Sequence, residues 1–330
     1  MTAPKPRTVL VTGGTGLLGR YLLRELARDP SLRLRATRRA STDVSPVADL
    51  DVEWVEGELD DPDFLDDALA GVSSVVHAAA LVSFRKRDRA ALRRVNVDAT
   101  AALADAALER GVGHFLHVSS VAAISPSARE APVGERPYTF FPQADTSFYA
   151  RSKFDGEREV WRAREEGLTV TVLNPSVVLG VGDWVRSSDR LFAWVARGQR
   201  FYPRGGTGYV DARDVAAFAK TCLDAGPADR RFVVSAENWR YERFFRVVAN
   251  ALEVPPPTIP AKPWQAEFVW RGAAAQAFLT GGEPVVTRES ARRSMAVIEY
   301  DNSASLAAGA TYRPVAQTIW DVARAYQTRP

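Results

Sequence analysis

Cysteine is nearly absent: Cys222 is the only one in 330 residues. A single cysteine forms no intrachain disulfide, so a reducing, cytoplasmic compartment is expected. Long apolar runs are missing as well. The longest uncharged stretch, residues 111–128, carries Gly, His, Ser and Pro and makes a poor membrane span. No apolar segment precedes the first strand-like run, so no signal peptide is expected. No long block of like charge exists either. The formal net charge is +3, and arginines alternate with acidic residues along the chain. The densest basic patches, residues 33–39 and 85–87, have no interleaved aromatics, so no nucleic-acid partner is expected. No metal site is expected.

What remains is ordinary for a folded protein. Hydrophobic residues make up 46% and charged residues 25%, enough apolar surface to offset chain entropy, which excludes a disordered chain. The length allows one large domain or two moderate ones.

Short apolar runs alternate with amphipathic ones over the first 175 residues. Strands are predicted at 7–12, 32–37, 52–56, 75–80, 114–119 and 169–174. Helices are predicted at 17–27, 63–70, 89–110 and 148–166. Alternation of this kind implies βαβ units and a parallel sheet. Runs such as Val9-Leu10-Val11 suit strands covered on both faces. Beyond Asn174-Pro175 the rhythm loosens: helices at 187–197 and 214–224, a late strand at 231–235, then a break at Val254-Pro255-Pro256-Pro257. The layout expected is an α/β, doubly wound parallel sheet of the Rossmann type over residues 1–180, taking in about 209–236. A smaller, mostly helical substrate-binding part spans 181–208 and 237–330.

Thr12-Gly13-Gly14-Thr15-Gly16-Leu17-Leu18-Gly19 follows the first strand directly. Glycines there allow a tight turn and close approach of a diphosphate, and the next helix offers that anion its unpaired N–H groups. The strand-to-helix context is what the motif requires. An NAD site carries an acidic residue at the end of the second strand. This chain has Thr37-Arg38-Arg39, which suits a 2′-phosphate, so NADP(H) is expected over NAD(H).

Tyr149-Ala150-Arg151-Ser152-Lys153 puts a phenol and an ammonium on one helix face. Reducing a carbonyl needs a hydride at carbon and a proton at oxygen. Free tyrosine, with a pKa of about 10, exchanges its proton too reluctantly near neutrality, and a nearby ammonium lowers that value. The preceding strand ends at His117-Val118-Ser119-Ser120, where a serine hydroxyl can donate to the developing oxyanion.

These residues resemble the extended short-chain dehydrogenase/reductase superfamily, also described as the NAD-dependent epimerase/dehydratase family, over about 240 residues. The pieces are the glycine loop, Gly57-Glu58-Leu59, Val76-His77-Ala78-Ala79-Ala80, Asn96-Val97-Asp98-Ala99-Thr100, Ser119-Ser120, Tyr149 with Lys153, Leu173-Asn174-Pro175-Ser176, and Tyr209-Val210-Asp211-Ala212-Arg213-Asp214-Val215-Ala216. Arg35-Ala36-Thr37 and Asn174-Pro175-Ser176-Val177-Val178 are most similar to the dihydroflavonol-4-reductase-like branch. The resemblance implies Ser120 as the catalytic hydroxyl, Tyr149 as proton donor, and Lys153 as the group that tunes the tyrosine and holds the nicotinamide ribose. Gly13, Thr15, Gly16, Leu17, Leu18 and Gly19 would bind the diphosphate, with Arg38 and Arg39 at the 2′-phosphate. Glu58, where the family usually has Asp, and Leu59 would flank the adenine. Ala78, Ala79 and Ala80 would run beside diphosphate and ribose. Asn174, Pro175, Ser176 and Val177 would border the nicotinamide, and Asn96 belongs to the same cofactor site. A homodimer through the helices at 89–110 and 148–166 is also implied.

Val121-Ala122 follow Ser120 where sugar-nucleotide dehydratases of the superfamily carry Asp-Glu, so water elimination has no acid/base pair. The expected activity is NADPH-dependent reduction of a small-molecule ketone or aldehyde, or oxidation of the alcohol. Phe140, Phe141, Trp184, Phe201, Tyr202, Trp264, Phe268 and Trp270 suggest an apolar or aromatic substrate, although aromatics at such spacing more often belong to a core. Two rival readings stand beside it: a sugar epimerase or 3β-hydroxysteroid dehydrogenase/isomerase-like enzyme, and a non-catalytic NADP sensor.

Overall fold

Strand β1 (Arg7–Thr12) shows why the sheet is buried on both sides. Val9 and Val11 enter one hydrophobic cluster and Leu10 enters another on the opposite face. A computed structural model describes residues 7–124, 146–184, 188–262 and 294–329. After β1 come α1 (Leu17–Leu26), β2 (Leu32–Arg38), β3 (Val52–Glu56), α2 (Pro62–Leu69) and β4 (Ser74–His77). Next are α3 (Arg89–Arg93), a π-helical turn (Arg94–Asp98), α4 (Ala99–Glu109), β5 (His114–Val118), α5 (Phe148–Glu165) and β6 (Val170–Pro175). The later elements are β7 (Val177–Leu179), α6 (Arg190–Ala196), β8 (Phe201–Tyr202), β9 (Gly206–Asp211), α7 (Ala212–Ala225) and β10 (Arg230–Val234). They are followed by β11 (Glu237–Arg240), α8 (Tyr241–Ala251), β12 (Ile259–Pro260), α9 (Ser303–Ala307) and α10 (Val315–Gln327).

Seven strands form a sheet in the order β10-β6-β5-β4-β1-β2-β3, with every neighbouring pair parallel. The order reverses between β1 and β4, which is where sheets of this kind open a crevice at their carboxyl ends. Leu22 and Leu23 of α1 and Phe218 of α7 pack on one face. Leu65, Leu103 and Val160, from α2, α4 and α5, pack on the other. Each such side chain contributes about 1.5–3 kcal/mol by leaving water.

The remaining elements build a third cluster around Phe192, Tyr209, Phe244, Val248 and Ile319. Tyr209 stacks flat on Phe244 with ring centroids 4.4 Å apart. Trp184 and Tyr202 are partly buried against this cluster, and Trp184 meets Tyr326 edge-on. These two predicted pocket aromatics therefore serve packing, while Phe201 is exposed. Phe140, Phe141, Trp264, Phe268 and Trp270 lie outside the described residues.

Two sequence expectations change in detail, and one strand is added. The strand expected over 75–80 ends at His77, because Ala78 to Ala80 turn away to pass the glycine loop. The long helix at 89–110 is interrupted by the π turn. The glycine-containing segment at 206–211 is a wholly buried strand.

Candidate functional site

The glycine loop is shaped by contact. Gly13 has φ +72° and lies so near the chain at Ala79 that a Cβ would come within 2.7 Å of its backbone. At Gly19 a Cβ would come within 2.0 Å of the Gly13 carbonyl oxygen, so only glycine lets α1 begin this close to the turn. The turn closes with Gly16 N–H donating to Gly13 O at 3.0 Å. Helix α1 starts at Gly16 with no side-chain cap and no acidic residue in its first turn. Its leading N–H groups and positive dipole end are thus available to an anion.

Across the crevice the loop after β4 is fixed by a directional chain. Ala79 N–H donates to Thr12 Oγ1 at 3.2 Å, and Thr12 donates to His77 Nδ1 at 2.7 Å, a direction set by Thr100, whose own proton goes to a carbonyl and which must therefore accept from the other imidazole nitrogen. His77 Nε2–H then donates to Thr100 Oγ1 at 2.9 Å, and Thr100 donates to the Asn96 carbonyl at 3.0 Å. The chain needs a neutral imidazole, and burial lowers the His77 pKa to about 3. The Asn96 side chain accepts from Leu81 N–H at 2.7 Å and donates to Leu81 O at 2.9 Å, pairing with it as a neighbouring strand would. It also donates to Ser152 Oγ at 2.9 Å. The π turn aims that amide, a common use of such bulges.

Helix α5 is capped by Ser147, whose Oγ accepts from Ala150 N–H at 2.9 Å. Tyr149, in the first turn, is half-buried, and its ring meets Phe84 edge-on at 5.6 Å between centroids. Phe84 itself is 44% exposed. One turn further, Lys153 is buried and donates from Nζ to Val118 O at 3.1 Å. Burial lowers its pKa to about 8, and the Glu157 carboxylate partly opposes that fall. Beneath it His117 is held neutral by burial and by the nearby Lys153, and stacks on His77.

The two adjacent serines have different surroundings. Ser119 is buried and donates to Glu157 Oε2 at 2.6 Å. Ser120 is half-buried, and its Oγ accepts from Ala122 N–H at 3.1 Å, leaving the hydroxyl proton for another acceptor. Asn174 joins them, donating to Ser120 O at 3.0 Å and to Glu157 Oε2 at 2.8 Å. Asn174 Oδ1 and Ser176 Oγ are buried with no hydrogen-bond partner among the described residues.

At the far end of the crevice, Arg38 forms an ion pair with Glu56 of the neighbouring strand at 2.9 Å. Arg39 is exposed. Glu58 is exposed and Leu59 packs partly against the α2 face. The glycine loop, Ala78 to Ala80, Ser120 and Asn174 therefore lie at the sheet's carboxyl edge, Asn96 and Lys153 bond to the chain there, and Tyr149 stands one turn before Lys153 on α5. Sequence reading did not single out Glu157, Arg231, Phe84 or the Thr12–His77–Thr100 chain. Glu157 carried one available signal: it lies four residues after Lys153, on the same helical face.

This fold and this crevice belong to a recognisable group of proteins. The chain is a member of the NAD dependent epimerase/dehydratase family, which it matches over residues 9–235, within the extended short-chain dehydrogenase/reductases. A Methylococcus capsulatus protein named sterol demethylase protein B is 35% identical over 233 residues, 70% of each chain. A Synechocystis sp. protein provisionally named dihydroflavonol 4-reductase is 29% identical over 303 residues, 89% of this chain and 86% of that one. The crystal structure of gox2253 is similar at a TM-score of 0.82 and 29% identity, covering 97% of this chain and 98% of that one. Among the described residues no helix is long and apolar enough to cross a membrane.

Proposed function

We propose that this chain is an NADPH-dependent carbonyl reductase, or alcohol dehydrogenase in the reverse direction, acting on an apolar or aromatic substrate. The observation that carries this reading is the buried Lys153 ammonium one turn along α5 from Tyr149, whose ring is met by the exposed Phe84.

The residues fit a pyridine dinucleotide. The uncapped start of α1 and the Gly13–Ala79 approach suit a diphosphate. Asn174 Oδ1 and Ser176 Oγ are polar atoms in need of partners, as a nicotinamide carboxamide would supply. Arg39 is the exposed guanidinium for a 2′-phosphate, since Arg38 is engaged by Glu56. When bound, the cofactor supplies hydride at the carbonyl carbon. Tyr149 gives its proton to the carbonyl oxygen, and Ser120 donates a hydrogen bond to the same oxygen as charge gathers there. Lys153 favours the phenolate that remains and so lowers the cost of the transfer. Val121, buried behind Ser120, offers no group for eliminating water.

In this reading residues 1–180 with 209–236 bind the nucleotide, and 181–208 with 237–330 shape the substrate site. A cytoplasmic location and a homodimer through the helical segments 89–110 and 148–166 belong to the same proposal; light scattering tests the dimer.

The deciding experiment follows NADPH absorbance with a panel of aryl ketones and aldehydes. Turnover is expected, and Tyr149→Phe should abolish it while NADPH binding survives. Undiminished turnover in that variant refutes Tyr149 as proton donor.

A further inference from the structure

Three consecutive residues at the end of β5 are each held by a different group. The Val118 carbonyl accepts from Lys153, the Ser119 hydroxyl donates to Glu157, and the Ser120 carbonyl accepts from Asn174. Two of these three ties lead to one carboxylate. Glu157 Oε2 takes both Ser119 and Asn174, while Oε1 takes Trp161 Nε1–H at 3.0 Å and the Arg231 guanidinium. Glu157 and Arg231 are both buried, at 1% and 6% exposure. A charged group so placed is tolerated only with a full set of donors and a counter-charge.

We propose that Glu157 is a positioning residue for the reaction: through Ser119 and Asn174 it sets the Ser120 main chain against the helix that carries Tyr149 and Lys153. This rests on the function proposed above. The geometry gives the carboxylate a task beyond fastening a helix. Glu157 stands on α5 itself, one turn past Lys153 and two past Tyr149. It grips the end of β5 directly and the end of β6 through Asn174. A shift of the hydroxyl relative to the phenol is therefore resisted by a carboxylate whose oxygens are all committed. Arg231, on β10, supplies the opposite charge.

Removing Glu157 alone takes a counter-charge from the buried Arg231 and endangers folding. The test therefore uses Glu157→Gln/Arg231→Gln, which removes both buried charges together. The expected result is cooperative melting close to wild type, with KM and NADPH affinity preserved. The kcat should fall by about tenfold or more, the scale that small misplacements cost. Amide hydrogen exchange should quicken at residues 119–123 but not along α5. Undiminished kcat in the folded double variant overturns the proposal. So does a loss of kcat accompanied by faster exchange throughout α5 and weaker NADPH binding, because that pattern is mere anchoring. If the wild type reduces no carbonyl at all, the proposed function fails, whereas the exchange measurement still reads the positioning of residues 119–123.

Discussion

Gly156 of α5 lies against the Asn96 carbonyl, where a Cβ would come within 2.0 Å of the oxygen. In a free helix, replacing glycine by alanine gains about 1 kcal/mol. Here the gain is overruled, because the obstacle is main chain that also receives Thr100 and belongs to the π turn. Gly156→Ala should destabilise the fold by about 1–3 kcal/mol, as overpacking does. It should also weaken activity, since the Asn96 amide that holds Leu81 and Ser152 is displaced. Denaturant melts and kcat measurements check this; a stabilised, fully active variant contradicts it.

Cofactor choice should separate the two arginines at the end of β2. Arg39→Ala should weaken NADPH relative to NADH by about tenfold or more, the loss of one charge-assisted contact. Arg38→Ala should change that ratio less, because its guanidinium is already paired with Glu56. Fluorescence titrations of both dinucleotides decide it. Equal effects from the two variants would refute the assignment of Arg39.

Phe84 presents an exposed ring edge beside Tyr149. Its loop is stiffened by Ser83 donating to Asp88 at 2.6 Å and Arg85 donating to Asp88 at 2.7 Å. Aromatic contacts of this sort contribute about 0.5–1.5 kcal/mol. Phe84→Ala should therefore raise KM for aryl ketones by about two- to tenfold and leave a small aliphatic ketone unaffected. A uniform change across both substrates would place Phe84 outside the substrate site.

All three histidines are buried and held neutral. Burial lowers His77 to about 3, His114 to about 4, and His117 well below its ordinary value. An unfolded histidine takes its proton near pH 6.5. The stability these groups contribute is thus complete above that pH and drains away as pH falls toward the folded values. Each contributes about 1.4 kcal/mol per pH unit inside its window. The melting temperature should decline steadily between pH 6.5 and 4.5, before most carboxylates titrate. A flat profile over that interval would show that the histidines are accessible to protons in the folded state.

Much of this was legible in the chain. Continuous apolar triplets marked strands covered on both sides, and β1 and β3 fall at the expected residues. The glycine loop and the Tyr149–Lys153 spacing were readable because each depends on neighbours in sequence. The π turn was not, because it exists to aim Asn96 at Leu81, a partner 15 residues away. No strand is predicted at β9, where Gly206 and Gly208 weaken the strand pattern. They are there because neighbouring chains crowd them: a Cβ on Gly208 would meet Ser235 Oγ at 2.3 Å. Helices α8 and α10 do carry an apolar face at helical spacing, Phe244, Phe245 and Val248 in one and Val315, Ile319 and Val322 in the other, and that pattern was there to be read. Glu157 looked like one more charge on a solvated helix. Its four donors come from three other segments and its own helix, and only the folded chain assembles them.

The neutralising partner of Glu157 arrives 74 residues later in the chain. During synthesis the glycine loop, the tyrosine and the lysine all leave the ribosome long before Arg231 does. Until then the emerging half holds a carboxylate it cannot bury, so its last strand must dock before the catalytic edge can set. Grafting a foreign chain after residue 180 would meet the same obstacle unless the graft brought an arginine at that point of its own edge strand.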